Sequence, residues 1–422
     1  MRRRLALAAI AGLVVAAPSA AVAAPFERAL PIPEVLTGSR IDIRMQQSEV
    51  QLRPGPKTRM WTYNGTFPGP TIRRPSGTVT RMTFFNDLPA WAGDMSVHHH
   101  GAHSASTEDG QPHQEPGAGP GGLLIPPGGA REYRYDHVED GAPERAAFQW
   151  YHDHRMDVTG RNVWNGLAGM FILDDEVDAA LPLPEGEYDV PLMVVDRRLD
   201  AENQLVYPGD LLAQTPLNGG PPADGMTGDV ILVNGAAQPH FDVADRKYRL
   251  RLLNASNFRT FDFRLSDGSP MKQIASESGL LPAPVDRGTV SLGPAERAEV
   301  VVDFAGLRGR TLTLTSAAGD VMQFRVNRSD PEPDTTRVPA SLRPAPALGP
   351  SKVDRIFNFG LGFDPERNRI AWTINGRVYD HNRVDASPKL GSTETWQLTN
   401  VTSSGVPHYI HIHGVDWRVI SR

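Results

Sequence analysis

Nine of the chain's 13 histidines fall in three short windows, at 98–103, 152–154 and 408–413. Each window contains a pair of histidines one residue apart: His98-His99-His100-Gly101, Trp150-Tyr151-His152-Asp153-His154 and His411-Ile412-His413-Gly414. On a strand, residues i and i+2 point the same way about 6.5–7 Å apart. Two such imidazoles sit too far apart for ideal chelation of one ion and are well placed for neighbouring ions. Neutral imidazole suits copper, zinc, iron and nickel, with copper(II) highest in the affinity order. Cysteine is absent, which excludes disulfides, zinc ribbons, iron–sulfur clusters and a thiol nucleophile from this chain. A binuclear metallo-hydrolase would read H-x-H-x-D-H. Here Ala102 stands where the Asp should be, and the third pair would be unexplained. The other histidines have plainer readings. His99 alternates to the face opposite His98 and His100. His103 and His113 lie in a polar, Gly-rich loop and read as solvated, and His137, His240 and His381 are isolated. His408 stands off the i+2 rhythm, three residues before His411, where it could serve a second metal nearby.

The elements that must hold these residues read as strands. Gly (40) and Pro (37) are abundant, long helical periodicity is hard to find, and short alternating runs recur, such as 79–85 and 248–253. Asn-Gly appears three times, at Asn64-Gly65, Asn234-Gly235 and Asn375-Gly376, and an alternating strand ending in Asn86, Asn254 or Asn400 follows each. Near-equal offsets predict three copies of one β-domain, which suits a chain of 422 residues. The acidic, Pro-containing run 174–187 and the four-proline run 337–350 mark the breaks, the second reading as an extended linker. The expected units are 40–175, 187–336 and 351–422. An H-x-H-G pair lies 12 residues beyond Asn86 and 11 beyond Asn400, whereas the comparable stretch of the middle copy, 260–264, has no histidine. Copies one and three carry a site; the middle copy reads as a spacer.

At the start, Arg2 to Arg4, an apolar run to Ala17 and Ala21-Val22-Ala23 describe an export signal at 1–23, loosely compatible with the twin-arginine route. The run is shorter than the ~20 apolar residues of a membrane span. No later stretch is long enough to span, so an exported, periplasmic or extracellular protein is expected. A net charge of -6 with no later basic block gives no footprint for nucleic acid.

Val97-His98-His99-His100-Gly101, Trp150-Tyr151-His152-Asp153-His154 and His408-Tyr409-Ile410-His411-Ile412-His413-Gly414 resemble three of the four copper motifs of multicopper oxidases, and 63–71 resembles that family's opening strand. The flavour is that of the bacterial spore-coat laccase and bilirubin-oxidase group. The resemblance implies an all-β chain of three consecutive cupredoxin-like Greek-key β-barrels with a three-copper cluster between the first and third. It assigns the type 2 copper to His98 and His411, the type 3 pair to His100, His152, His154 and His413, and His408 to the mononuclear type 1 site. Asp109 matches a carboxylate beside the cluster that orients ligands and assists proton delivery; an Asp-Gly turn explains it equally well. The fourth motif, with its Cys, is absent, so the type 1 site is incomplete and this chain alone is expected not to turn over. Copy one continues more than 70 residues beyond its H-x-H-G and copy three only eight, so the third barrel is expected to be truncated, with Trp417-Arg418-Val419-Ile420 a strand of an unclosed domain. The implied partners are O2 and a small reducing substrate, phenols and aromatic amines first and Cu(I) or Mn(II) next; the 11 scattered methionines argue against a cuprous-ion oxidase. A monomer is expected. The alternatives are an exported copper-binding protein and a copper-free scaffold.

Overall fold

The computed structural model describes residues 25–112, 123–208, 226–349, 352–365, 368–380, 382–402 and 407–422. The export segment 1–23, His113 and His381 lie outside them. Strands dominate, and alternation sets their faces. In Arg40–Val50 the side chains of Ile41, Ile43 and Met45 turn into the core while their neighbours turn out.

Two sheets make the first region. One orders Val35–Leu36, Gly69–Pro75, Ala168–Asp174, Ala147–Asp153 and Val97–His100; the other orders Thr58–Tyr63, Arg40–Val50, Thr80–Asn86 and Ala130–Tyr135. Ile43, Met45, Tyr63, Phe84, Tyr133 and Phe171 fill the space between. The middle region is likewise two sheets, of seven and five strands, around Leu192, Val194, Leu250, Phe261, Phe263 and Phe324. Its strand Asp189–Arg197 is buried along its whole length. Leu192 and Val194 face the middle core, while Met193 and Val195 pack against Phe148, Trp150 and Met170 of the first region. Each such side chain contributes roughly 1.5–3 kcal/mol when fully buried, so the first and middle regions are welded by an apolar seam. An ion network, partly exposed at Arg73 and Asp174 and buried at Asp189, Arg251 and Glu299, crosses the same boundary.

The predicted repeat is visible bond by bond. Met45 faces Tyr63 on an antiparallel neighbour and Asn86 on a parallel one; Val194 faces Val233 and Asn254 likewise, and Phe359 faces Ile374 and Asn400. Asn64, Asn234 and Asn375 all have left-handed backbone (φ 53°, 47° and 52°), followed by glycines at 81°, 77° and 74°, the two-residue turn that Asn-Gly favours. Each Asn also reaches sideways. Its Oδ1 accepts from the backbone N–H of Arg44, Met193 or Asn358, at 2.7, 2.8 and 2.8 Å, and its Nδ2 donates to the carbonyl two residues earlier. The Asn-Gly pairs therefore pin a strand as well as turning one.

The third region departs from expectation in two places. Trp417–Ile420 is not a strand, since no neighbouring strand pairs with it among the described residues; Trp417, Val419 and Ile420 are about half exposed. The His411–His413 pair is likewise on irregular backbone, in contrast to the strand Val97–His100. The linker, described to residue 349, is irregular, as expected, yet it is tied down: Arg337 N–H donates to Pro182 O in the 174–187 run, Leu342 N–H donates to Pro282 O of the middle region, and Leu342 is buried. No helix among the described residues is long and apolar enough to cross a membrane.

Candidate metal centre

Two strands and one irregular segment deliver six imidazoles to one place. Val97–His100 and Ala147–Asp153 are antiparallel neighbours with His98 opposite His152, so His98, His100 and His152 share one face at the end of the sheet. His154 follows as the strand ends, its backbone N–H donating to Ser96 O. His411 and His413 arrive from the other end of the sequence. His98 Nε2 lies 3.3 Å from His411 Nε2, and His100 Nδ1 lies 3.4 Å from His152 Nε2. The His98 and His413 rings stack with centroids 4.0 Å apart, His100 and His411 at 3.8 Å, and His154 stands 5.1 Å from His98 and 5.0 Å from His413.

The outer partners fix which nitrogens face inward. His98 Nδ1 lies 2.7 Å from the Asp109 carbonyl, His152 Nδ1 2.8 Å from the Asp153 carbonyl, and His413 Nδ1 2.6 Å from Asp109 Oδ2. Carbonyl and ionised carboxylate oxygens only accept, so each Nδ1 carries the proton and each Nε2 presents a lone pair to the cluster. Burial lowers the pKa of His98, His100, His152, His154 and His411, and neighbouring imidazoles add to it. The rings are held neutral, the form that binds metal. His154 Nδ1 is buried with no hydrogen-bond partner. Six clustered imidazoles, with the Nε2 lone pairs of His98, His152 and His413 turned inward, fit a cluster of soft or borderline metal ions, copper above all.

Asp109 touches both halves of the site. Burial disfavours its charge, but the hydrogen bonds from His413 and His98 outweigh that and hold its carboxyl well below the usual range. Gly110 makes the contact possible: at φ 74°, a Cβ there would lie 2.2 Å from Val97 O, so only glycine lets this loop press against the His98 strand. His408 does not join the six. Its ring lies 4.9 Å from Trp372 and 5.7 Å from Phe359, and its Nε2 is buried without a hydrogen bond. His99 turns into the core against Phe171 and Tyr135, as alternation predicts.

Other neighbours escaped sequence reasoning. Arg297, buried in the middle region, donates from Nε to Phe148 O (3.0 Å), and its Nη2 would lie 2.6 Å from a Cβ at Gly101, directly after His100. The middle copy carries no histidine ligand yet places a guanidinium beside the cluster, and nothing local to Arg297 signals it. Tyr409 seats its ring against Gly293 and hydrogen-bonds Thr260, which fixes the His411 segment to the middle region. His103 is not solvated: its side chain is 13% exposed and bonded to the buried Glu144. The loop folds back so that Glu144 Oε1 accepts from the His103 backbone N–H as well as from Gln149 Nε2.

Residues 44–178 and 353–422 match two family models, each described as multicopper oxidase. The chain is 34% identical to a laccase of Bacillus subtilis over 94% of its own length and 83% of that protein's. It is 35% identical to a bilirubin oxidase of Albifimbria verrucaria over 85% of the chain and 61% of that protein. It is also 30% identical to the cell division protein FtsP of Escherichia coli, over 96% and 82%. A laccase structure from Pediococcus acidilactici superposes with a TM-score of 0.74 at 29% identity, covering 90% of this chain and 79% of that one. These likenesses run through the strands that carry both histidine-bearing regions and accord with all-β, cupredoxin-like domains. With six clustered imidazoles at the meeting point of those regions, they establish that the chain belongs to the multicopper oxidase family.

Proposed function

We propose that the protein is an exported, laccase-like oxidase that takes single electrons from phenolic or aromatic-amine substrates and reduces O2 to water. The observation that carries this reading is the set of three Nε2 lone pairs, on His98, His152 and His413, held inward by acceptor-only oxygens. His98 and His411 would hold the type 2 copper; His100, His152, His154 and His413 would hold the type 3 pair; His408 would belong to a mononuclear site. The units 40–175, 187–336 and 351–422 are the three domains of this reading, acting as a monomer. Copper ions at such a cluster supply the one-electron redox steps by which O2 accepts four electrons.

The chain's own residues supply position and protons. The Asp109 carbonyl and carboxylate orient His98 and His413. Asp109 Oδ1 is buried 3.3 Å from His98 Nδ1, so the carboxylate braces both rings and would assist proton delivery beside them. Arg297 lies beside Gly101 with its guanidinium paired to Glu277, and its charge bears on His100 and His411 from the middle region. The 422 residues contain no cysteine, so no thiolate accepts electrons from substrate within them. These residues are therefore expected to bind copper at the cluster without phenol-driven O2 uptake.

The similarity to a cell division protein favours a second reading, an exported scaffold without oxidase activity. Copper counting with electron paramagnetic resonance separates the two. Stoichiometric copper with a type 2 signal, lost in His98→Ala, is expected. Absence of bound copper would support the scaffold and overturn the oxidase.

A further inference from the structure

The two segments that meet at the imidazole cluster meet again three residues further along each. His103 follows His100, Asp416 follows His413, and they converge with Glu139. Glu139 is presented by a tight hairpin in which Val138–Glu139 pairs with Ala142–Pro143. Asp140 and Gly141 turn it with φ of 48° and 80°.

Beneath them lies Glu144, 3% exposed. Its Oε1 accepts from the His103 backbone N–H at 3.2 Å and lies 3.0 Å from His103 Nδ1. An ionised carboxylate only accepts, so Nδ1 carries the proton and Nε2 is turned to the far side. There Nε2 is buried, makes no hydrogen bond, and lies 3.4 Å from Glu139 Oε1. One ring nitrogen of His103 and one carboxylate oxygen each from Glu139 and Asp416 fall within 4.8 Å of one another. A buried carboxylate that orients an imidazole whose other nitrogen is free is the arrangement that supports metal-bound histidines. Arg145 also feels Glu139 and Asp416. It offsets part of the carboxylate charge and leaves a surplus that suits a divalent cation.

We propose that His103 Nε2, Glu139 and Asp416 form a second metal site, distinct from the imidazole cluster and suited to zinc. One nitrogen and two carboxylate oxygens are common zinc donors, with water completing a tetrahedral shell. The site spans the first region and the 413–416 segment. An ion there would clamp down the chain that brings His411 and His413 to the cluster. The competing occupant of Nε2 is a proton, which would make the group an imidazolium between carboxylates.

Zinc chloride titrated calorimetrically into the full metal-free chain decides between them. The cluster imidazoles will also take zinc, so the informative quantity is the difference between variants. Glu139→Gln and Asp416→Asn change side chains at the surface and should leave the thermal midpoint of the metal-free chain unchanged. Each is expected to remove one zinc equivalent, or weaken one class of site at least tenfold, while copper bound at the cluster is retained. Zinc should also slow amide exchange in residues 408–416 of the unsubstituted chain and not of Glu139→Gln. Equal zinc number and affinity in all three proteins would overturn the proposal and leave a proton-bridged group.

Discussion

Met45 and Phe359 occupy matching places in the first and third regions. Each faces an apolar residue on one side and a strand-ending Asn on the other, and beside each an Asn-Gly turn bonds the preceding residue. Around Met45 a second sheet closes and the side chain is fully buried. Around Phe359 the described residues form a three-stranded sheet, with Phe363 58% and Trp372 46% exposed. The same local code thus yields a sealed core in one copy and an open layer in the other. The consequence reaches the site: His98, His100 and His152 are set by strands inside a closed region, while His411 and His413 are set by contacts with other regions, through Asp109, His98 and Tyr409.

The sharpest test removes one imidazole from each side. His98→Ala and His411→Ala should each deplete type 2 copper by about one equivalent, read by elemental analysis and paramagnetic resonance. Full copper in His411→Ala would show that the third region does not share the cluster.

The next test acts on the sealed region. His137 lies inside it, and burial, with Arg74 adding to it, lowers its pKa to about 4, despite the opposing charges of Glu144 and Asp136. The unfolded chain takes up that proton near pH 6.5 and the folded chain does not, so stability is present above that pH and lost as pH falls from 6.5 towards 4. The loss is about 3 kcal/mol for this group. Thermal melts of the metal-free chain should fall across that window, and His137→Gln should flatten the dependence. An unchanged dependence in the variant would exclude His137.

Asp109→Asn tests the joint between the regions. Keeping the shape but removing the charge should weaken copper binding about 10–100-fold, measured by competition with a chelator. Retained affinity would make Asp109 a turn residue only.

The smallest effect concerns the repeat itself. Asn234→Ala, in the buried middle copy, should cost about 2 kcal/mol in denaturant unfolding. Asn375→Ala, exposed in the third copy, should cost under about 1 kcal/mol. Equal costs would mean that burial does not distinguish the copies.

Much of this was legible in the sequence. The Asn-Gly triple located the three strand sets, because a left-handed two-residue turn admits few residue types. Strand alternation separated His98 and His100 from His99. The absence of a histidine pair from the middle copy is legible, but its contribution of Arg297 and the Tyr409 seat is not, since neither has a local signature. Trp417–Ile420 read as a strand from alternation alone and is not one, because a strand exists only where a partner accepts its hydrogen bonds. His103 read as solvated from a polar, Gly-rich loop; its burial depends on Glu144, 41 residues away.

Residue type and spacing by themselves determined the fold class, the repeat, the chemistry of the donors and the lack of a thiolate. Those properties follow from short-range geometry, where a period of two or a turn of two residues decides the outcome. Only the tertiary structure decided that His98 meets His411 across 313 residues, which nitrogen of each ring faces inward, and that the same two segments meet again at His103 and Asp416. Such contacts arise where separately folded surfaces dock, and no local pattern in the chain encodes the partner's position.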